Sequence, residues 1–175
     1  MNERLIAGLK RIVGPRYVLH RPEELIVYEY DATIERALPE AVVLPGSAEE
    51  VAAVVRLARR HGVPVTPRGA GTGLSGGAVP CEGGIVLVTS RLNRILEIDP
   101  ENAIAVVEPG VVNLDVSLAA APHGLYYAPD PSSQRACTIG GNVAENAGGP
   151  HCLRYGTTTN HVLGLELVTA AGELV

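Results

Sequence analysis

Residues 41–77 read AVVLPGSAEEVAAVVRLARRHGVPVTPRGAGTGLSGG, and this stretch decides the fold. Residues 41–44 form a short apolar run closed by Pro45-Gly46, the pattern of a buried strand. Ser47 and Glu50 have capping-box spacing, in which each side chain satisfies a backbone N–H at a helix start. Val51, Val54, Val55 and Ala58 follow at helical spacing. Arg56, Arg59 and Arg60 fall on the solvated face, and His61-Gly62 supplies the stop. Residues 63–66 then read as a second strand. Strand, helix and strand in this order form the unit that builds a parallel pair.

Working outward, Leu5, Ile6, Leu9, Ile12 and Val13 share one face of a helix over Glu3–Val13, ended by Gly14-Pro15. Residues 16–40 are polar and irregular, with short extended pieces expected around 25–28. Beyond the glycine-rich loop, strands are expected over 84–89, 95–99 and 103–108. Asn113 is placed to cap a short helix through Ala121, ended by Pro122 and Gly124. Residues 128–156 read as a second glycine-dense loop region. A strand over 162–169, a turn at 170–172 and the start of a return strand at Leu174-Val175 follow. A stop inside a return strand reads as part of a longer protein.

Composition narrows the function classes. At 175 residues and 46% hydrophobic, the chain has enough apolar material for one domain or two small lobes and is not disordered. Fourteen basic against 19 acidic residues give a net charge of −5. Lys10 is the one lysine and the arginines are scattered, so no basic stripe serves nucleic acid. No apolar run approaches the ~20 residues of a membrane span. With no Phe or Trp, the core must come from Val, Leu, Ile and Ala. Three cysteines, 81, 137 and 152, are odd in number and form no CxxC pair. That argues against a disulfide framework or a zinc site and fits a reducing, cytoplasmic compartment.

The loop Pro67-Arg68-Gly69-Ala70-Gly71-Thr72-Gly73-Leu74-Ser75-Gly76-Gly77 follows a strand, and Gly71, Gly73 and Gly76 match GxGxxG. A dinucleotide fold would continue into a helix. Gly77, Pro80, Gly83 and Gly84 leave no room for one before the strand at Ile85, and no GK[ST] marks a P-loop. Five glycines in the nine residues 69–77 let successive N–H groups converge on phosphate oxygens. Thr72 and Ser75 add hydroxyls, and Arg68 is a charged candidate. The alternative is a tight surface loop of structural glycines. A second cluster comprises Pro129-Asp130-Pro131-Ser132-Ser133, Thr138-Ile139-Gly140-Gly141-Asn142 and Ala144-Glu145-Asn146-Ala147-Gly148-Gly149. Two separated clusters suit an extended ligand with a diphosphate and two ring systems, or else a close-packed loop region.

These motifs, with HCLRYG at 151–156 and LGLELV at 163–168, resemble the flavin domain of the vanillyl-alcohol oxidase/p-cresol methylhydroxylase superfamily. Within it they are similar to the FAD-linked subunit of the glycolate oxidase and D-2-hydroxyacid (D-lactate) dehydrogenase family, over residues 20–175. The resemblance implies an α+β, two-lobed FAD-binding domain, incomplete at its C-terminus. It divides into a lead-in over 1–40, a first lobe over 41–99 and a second over 100–175, without the cap domain. FAD would lie between the lobes. Residues 67–77 would wrap the pyrophosphate. Pro129, Asp130, Pro131 and Ser132, with Thr138, Gly140, Gly141, Asn142, Glu145, Asn146, Gly148 and Gly149, would line the diphosphate, ribityl chain and isoalloxazine. Tyr155 and Gly156 would help close the pocket, and the strand near 165–167 would run beside the adenine. Some relatives link the flavin through a histidine where this chain has Ala70, so FAD is expected to be noncovalent.

The implied activity is oxidation of a small 2-hydroxy acid, with electrons passing to an acceptor or partner subunit. The alternatives are a sugar-type substrate on the same fold, or a noncatalytic FAD-binding fragment that needs another chain. No catalytic base and no metal ligand set is assigned. His151 beside Cys152 reads as a polar loop residue near the cofactor, His161 as structural, and His20, His61 and His123 as surface or helix-end residues. Cys81 and Cys137 read as small packed side chains. Asn146 is either a flavin contact or a turn residue tolerant of left-handed backbone.

Overall fold

The computed structural model describes residues 3–81 and 83–175. It divides into two compact units, one running through Arg91 and taking in Leu165–Val175, the other Leu92–Gly164.

The first unit is built on a four-stranded sheet. Its strands are β1 (Val18–Leu19), β2 (Ala41–Val43), β3 (Val65–Arg68) and β4 (Ile85–Val88), in the order β1-β2-β4-β3. β4 runs parallel to both neighbours, and β1 is antiparallel to β2. The expected parallel arrangement of the first two long strands is present, but they are not neighbours, because β4 lies between them. Chemistry explains the order. All four residues of β4 are buried, so it suits the centre. β3 contains Pro67, which lacks an N–H and therefore belongs on an edge.

Helix α1 (Glu3–Val13) and a later helix, α3 (Ala48–His61), cover one face. Their Leu5, Leu9, Val54 and Leu57 pack with Ala41, Val43, Ile85 and Leu87 in one core. Ser47 caps α3 by accepting the Glu50 N–H at 3.2 Å. The returning carboxylate of Glu50 takes the Gly46 N–H at 2.6 Å, one residue earlier than a capping box requires. Gly62, at φ 66°, ends the helix in left-handed backbone.

The other face of the sheet corrects one expectation. Residues 25–28 are helical rather than extended: α2 (Pro22–Leu25) runs into a 3-10 turn, Ile26–Tyr28. Pro22 opens the turn, and Glu24 accepts the N–H groups of His20 and Arg21, both at 3.1 Å. Leu25 is thereby set against Val42, Val86 and Val88 as a second core. The expected strand over 162–169 is also absent. Thr158–His161 is a 3-10 turn, and pairing is confined to a hairpin in which Leu167 and Val175 exchange backbone bonds of 2.8 and 3.0 Å. Leu163, Leu165 and Leu167 are exposed, with no burial to favour a longer strand. The hairpin turn is tied to α3 through the Arg56 guanidinium, which donates to the Gly172 carbonyl.

The second unit contains the antiparallel ribbon β5 (Ile95–Asp99) and β6 (Ile104–Val107), bulged between Ile95 and Glu97. Helix α4 (Asn113–Ala120) follows, then α5 (Ile139–Glu145) and α6 (Cys152–Tyr155). Val112, not Asn113, occupies the cap position of α4. The buried Asn113 side chain instead donates to the Pro129 carbonyl at 3.1 Å and anchors the 129–133 segment. The region read as loop over 128–156 contains α5 and α6. α5 is capped by Thr138, which accepts the Gly141 N–H at 3.4 Å, and ends at Asn146 in left-handed backbone, φ 50°.

Candidate functional site

In the first unit, the glycine loop leaves β3 at Arg68 and forms no helix before β4 among the described residues. Gly71 (φ 71°) and Gly76 (φ 77°) are left-handed. Among the described residues, the N–H groups of residues 69–77 donate no hydrogen bond, so a run of backbone donors is left without a protein acceptor. The Gly73 carbonyl, by contrast, accepts the Ala32 N–H at 3.2 Å, which fixes the middle of the loop. Such a run of unpaired donors, turned by two left-handed glycines, fits a diphosphate. Thr72 is half-buried and Ser75 exposed, both within the same loop.

Arg68 is 8% exposed. Its Nη1 donates to the carbonyls of Tyr30 at 2.7 Å and Ala78 at 3.3 Å, and its guanidinium lies 5.7 Å from the Tyr28 ring centre. Burial lowers its pKa, against the opposing charge of Asp31. Asp31 is 5% exposed and accepts the Thr33 N–H at 2.8 Å and hydroxyl at 2.6 Å. Burial works against its charged form. The Thr33 bonds, the Ala78 N–H and the Arg68 charge outweigh burial and hold its pKa below the ordinary carboxylate value. No sequence motif marked Asp31.

In the second unit the glycines have a different use. The N–H groups of Ile139 and Gly140 donate to Val111 at 2.9 Å and Pro109 at 2.8 Å, and those of Gly141 and Asn142 to Thr138. The first turn of α5 is thus satisfied internally. A Cβ at Gly140 would lie 2.6 Å from that of Pro109, and one at Gly149 would overlap the Asp130 carbonyl. These two glycines permit close backbone approach. Asn142 supplies what their amides do not: it is 2% exposed and its Nδ2 donor has no partner among the described residues. A buried amide left unpaired costs roughly 1–3 kcal/mol, so an acceptor from a ligand suits it. The residues present therefore fit a diphosphate-bearing cofactor in the first unit and a hydrogen-bonding group at Asn142 in the second.

The close approach at Gly149 brings the 129–133 and 149–151 segments together. His151 Nδ1 lies 2.5 Å from Asp130 Oδ2, and the His151 N–H donates to Oδ1 at 3.2 Å. Burial raises the Asp130 pKa, but the hydrogen bonds and charge of His151 more than reverse this and lower it. The sequence reading did not pair these residues, which stand 21 positions apart. Tyr155 packs edge-on to Tyr126 at 6.4 Å, and Arg154 sits 5.3 Å from the Tyr155 ring centre. Glu145 and Gly148 are exposed. Asn146 ends α5 in left-handed backbone, and its Oδ1 accepts the Thr159 N–H at 3.0 Å and hydroxyl at 2.7 Å. His161 bonds the Tyr155 carbonyl at 2.9 Å, the structural part expected of it. Cys137 is buried as expected, but Cys81 is exposed. Among the described residues, no group of three His, Cys, Asp or Glu side chains could hold a metal ion. Among them too, no helix is long and apolar enough to cross a membrane.

This chain belongs to the FAD binding domain family, whose pattern its residues 39–175 match. The fold is that of the vanillyl-alcohol oxidase/p-cresol methylhydroxylase type. It superimposes on p-cresol methylhydroxylase with a TM-score of 0.85 at 26% identity, over 99% of this chain and 34% of that one. Among curated proteins it is similar to the glycolate oxidase subunit GlcD of Escherichia coli (strain K12), 53% identical over 97% of this chain and 34% of that protein. It is also similar to a D-lactate dehydrogenase of Anaerostipes hadrus, 42% identical over 93% of this chain and 34% of that protein. The chain thus spans about a third of the length of these relatives.

Proposed function

We propose that this chain is the FAD-binding portion of an oxidoreductase that oxidises a D-2-hydroxy acid of the glycolate or D-lactate type, with FAD held noncovalently. The observation that carries the reading is the row of acceptor-free N–H groups over residues 69–77, in a chain of the FAD-binding family. Hydrogen bonds to a charged group contribute roughly 1.5–3 kcal/mol each, so several such donors hold a diphosphate without a lysine. In this assignment residues 67–77 bind the pyrophosphate. Pro129–Ser132, Thr138, Gly140–Asn142, Glu145–Asn146, Gly148–Gly149 and Tyr155–Gly156 shape the ribityl and ring contacts. Asn142 Nδ2 is the donor with a vacancy to fill.

When bound, FAD supplies the two-electron acceptor for the hydride that leaves the hydroxyl-bearing carbon. This chain's residues bind and orient it. The substrate class is supported by relatives named for glycolate and D-lactate. Contacts to the substrate carboxylate and the base for its hydroxyl proton are assigned to the remaining length that those relatives have. A partner subunit or an external acceptor takes the electrons onward, and three unpaired cysteines suit the cytoplasm.

The test is a visible absorption spectrum of the purified chain after addition of FAD and desalting. A retained flavin band that passes wholly into the filtrate on denaturation is the expected result, with no turnover of glycolate or D-lactate by this chain alone. Failure of both this chain and the full-length polypeptide to retain flavin overturns the proposal.

A further inference from the structure

We propose that Arg68 and Asp31 act as one unit that sets the shape of the glycine loop, as positioning residues for the diphosphate and not as its ligands. The nature of the ligand rests on the FAD reading; the geometry does not. The Arg68 guanidinium lies inside the loop that it would otherwise be expected to project from. A Cβ at Gly71 would fall within it, so this glycine is the residue that lets the loop close over the charge. One nitrogen, Nη1, is shared between the carbonyls of Tyr30 and Ala78, and so joins the lead-in segment to the residue that follows the loop's last glycine. Asp31, the next residue in the lead-in, is buried as well, and its charge favours the guanidinium without a direct ion pair among the described residues. Its Oδ1 is occupied by Thr33, and its Oδ2 has no hydrogen-bond partner among the described residues. The Ala78 N–H favours its ionised form without closing a hydrogen bond that meets ordinary geometry. Ala32 then donates to the Gly73 carbonyl at 3.2 Å. Lead-in residues 30 and 32, on either side of Asp31, therefore hold the loop at its end and at its middle.

Two consequences follow for the ligand. A guanidinium whose Nη1 is already taken by two carbonyls, and whose charge is opposed by the buried Asp31 carboxylate, offers a phosphate less net attraction. The acceptor-free N–H groups of residues 69–77 are the backbone donors that remain, and their convergence depends on where the loop is held. Removing either charge leaves the other buried and uncompensated, so both changes distort the same loop. Tyr28 and Tyr30 are the other titratable groups facing Arg68.

The two roles predict opposite signs. If Arg68 were a direct phosphate ligand, Asp31→Asn would release it from a competing charge and tighten FAD binding. As a positioning unit, Asp31→Asn weakens binding by roughly tenfold or more, the scale of one lost charge-assisted hydrogen bond. Arg68→Met does the same, and the double variant is no worse than the poorer single one. Arg68→Lys keeps the charge but loses the planar guanidinium that lies against Gly71 and near the Tyr28 ring, so it does not restore affinity. FAD dissociation constants of the full-length polypeptide, from flavin fluorescence, read all four variants. Hydrogen exchange of the Ala32 amide in the apoprotein adds an arm independent of flavin, with protection expected to fall in Asp31→Asn. Tighter binding in Asp31→Asn, additive losses, rescue by Arg68→Lys, or unchanged Ala32 protection would each overturn the unit. If Arg68→Met does not fold, Asp31→Asn and Arg68→Lys still decide. Wild-type protein that binds no FAD refutes the cofactor reading instead, and the exchange arm then decides the loop on its own.

Discussion

Gly149 and Gly73 are both glycines of flavin-domain motifs, yet their surroundings differ completely. A methyl group at 149 would overlap the Asp130 carbonyl, whereas one at 73 would meet nothing within 4 Å, on backbone that other residues adopt. Gly149→Ala should therefore cost about 1–3 kcal/mol, the usual range for forced overpacking, and should loosen the Asp130–His151 pair. Gly73→Ala should leave stability within about 0.5 kcal/mol of wild type. Urea unfolding of the two variants checks the contrast. Asp31 carries the clearest pH signature. Its folded pKa lies below its ordinary value of 3.8, so its stabilising contribution is complete above that value and is lost as pH falls through the lower, folded pKa. The stability difference between wild type and Asp31→Asn should shrink as pH drops below about 4; a gap constant down to acid unfolding would contradict this. Neither Asp31 nor the Asp130–His151 pair was legible in the sequence. Each depends on residues far apart in the chain, and no spacing rule connects them.

At the scale of elements, legibility followed the strength of periodicity. α1 and α3 were found because each carries an apolar stripe against a charged face, and β2, β4 and β6 because each is a short apolar run, while β5 mixes Ile95, Leu96 and Ile98 with Glu97 and Asp99. α5 was missed because its sequence, IGGNVAE, presents glycines where an apolar stripe would show. Its formation depends on tertiary acceptors at Val111 and Pro109 and on the Thr138 cap. Residues 25–28 are expected to be extended because Leu25, Ile26, Val27 and Tyr28 suit a strand in isolation. Burial of Leu25 in the second core overrides that preference. The insertion of β4 between β2 and β3 was not legible from the strand–helix–strand pattern, and Pro67, read as the start of the loop, instead lies within β3, where it suits an edge. The cap dependence of α5 can be checked directly. Thr138→Ala leaves the Gly141 N–H without its acceptor and should lower stability by about 1 kcal/mol, seen as an earlier urea midpoint with an unchanged slope.

For the whole molecule, the two units bring different backbone chemistry to a common cofactor reading, and this difference can be mapped in one experiment. Over residues 69–77 the N–H groups have no acceptor within the described protein, so in the absence of ligand they exchange with solvent freely. In the first turn of α5 the N–H groups of residues 139–142 are already bonded to Val111, Pro109 and Thr138. Saturation with FAD at about 100 times its dissociation constant should stabilise the folded state by about 2.7 kcal/mol. For a chain of this size that raises the melting temperature on the order of 5–10 °C. Hydrogen exchange measured with and without FAD should then slow most over 69–77, where new bonds form. It should change in α5 only by as much as global stabilisation requires. Slowing confined to residues 139–142, with 69–77 unaffected, would mean that the diphosphate is not held by the first loop, and the free N–H row would lose its role. The reverse pattern ties the ligand to backbone donors that only a glycine-rich loop could expose, and explains how a chain with a single lysine holds a diphosphate.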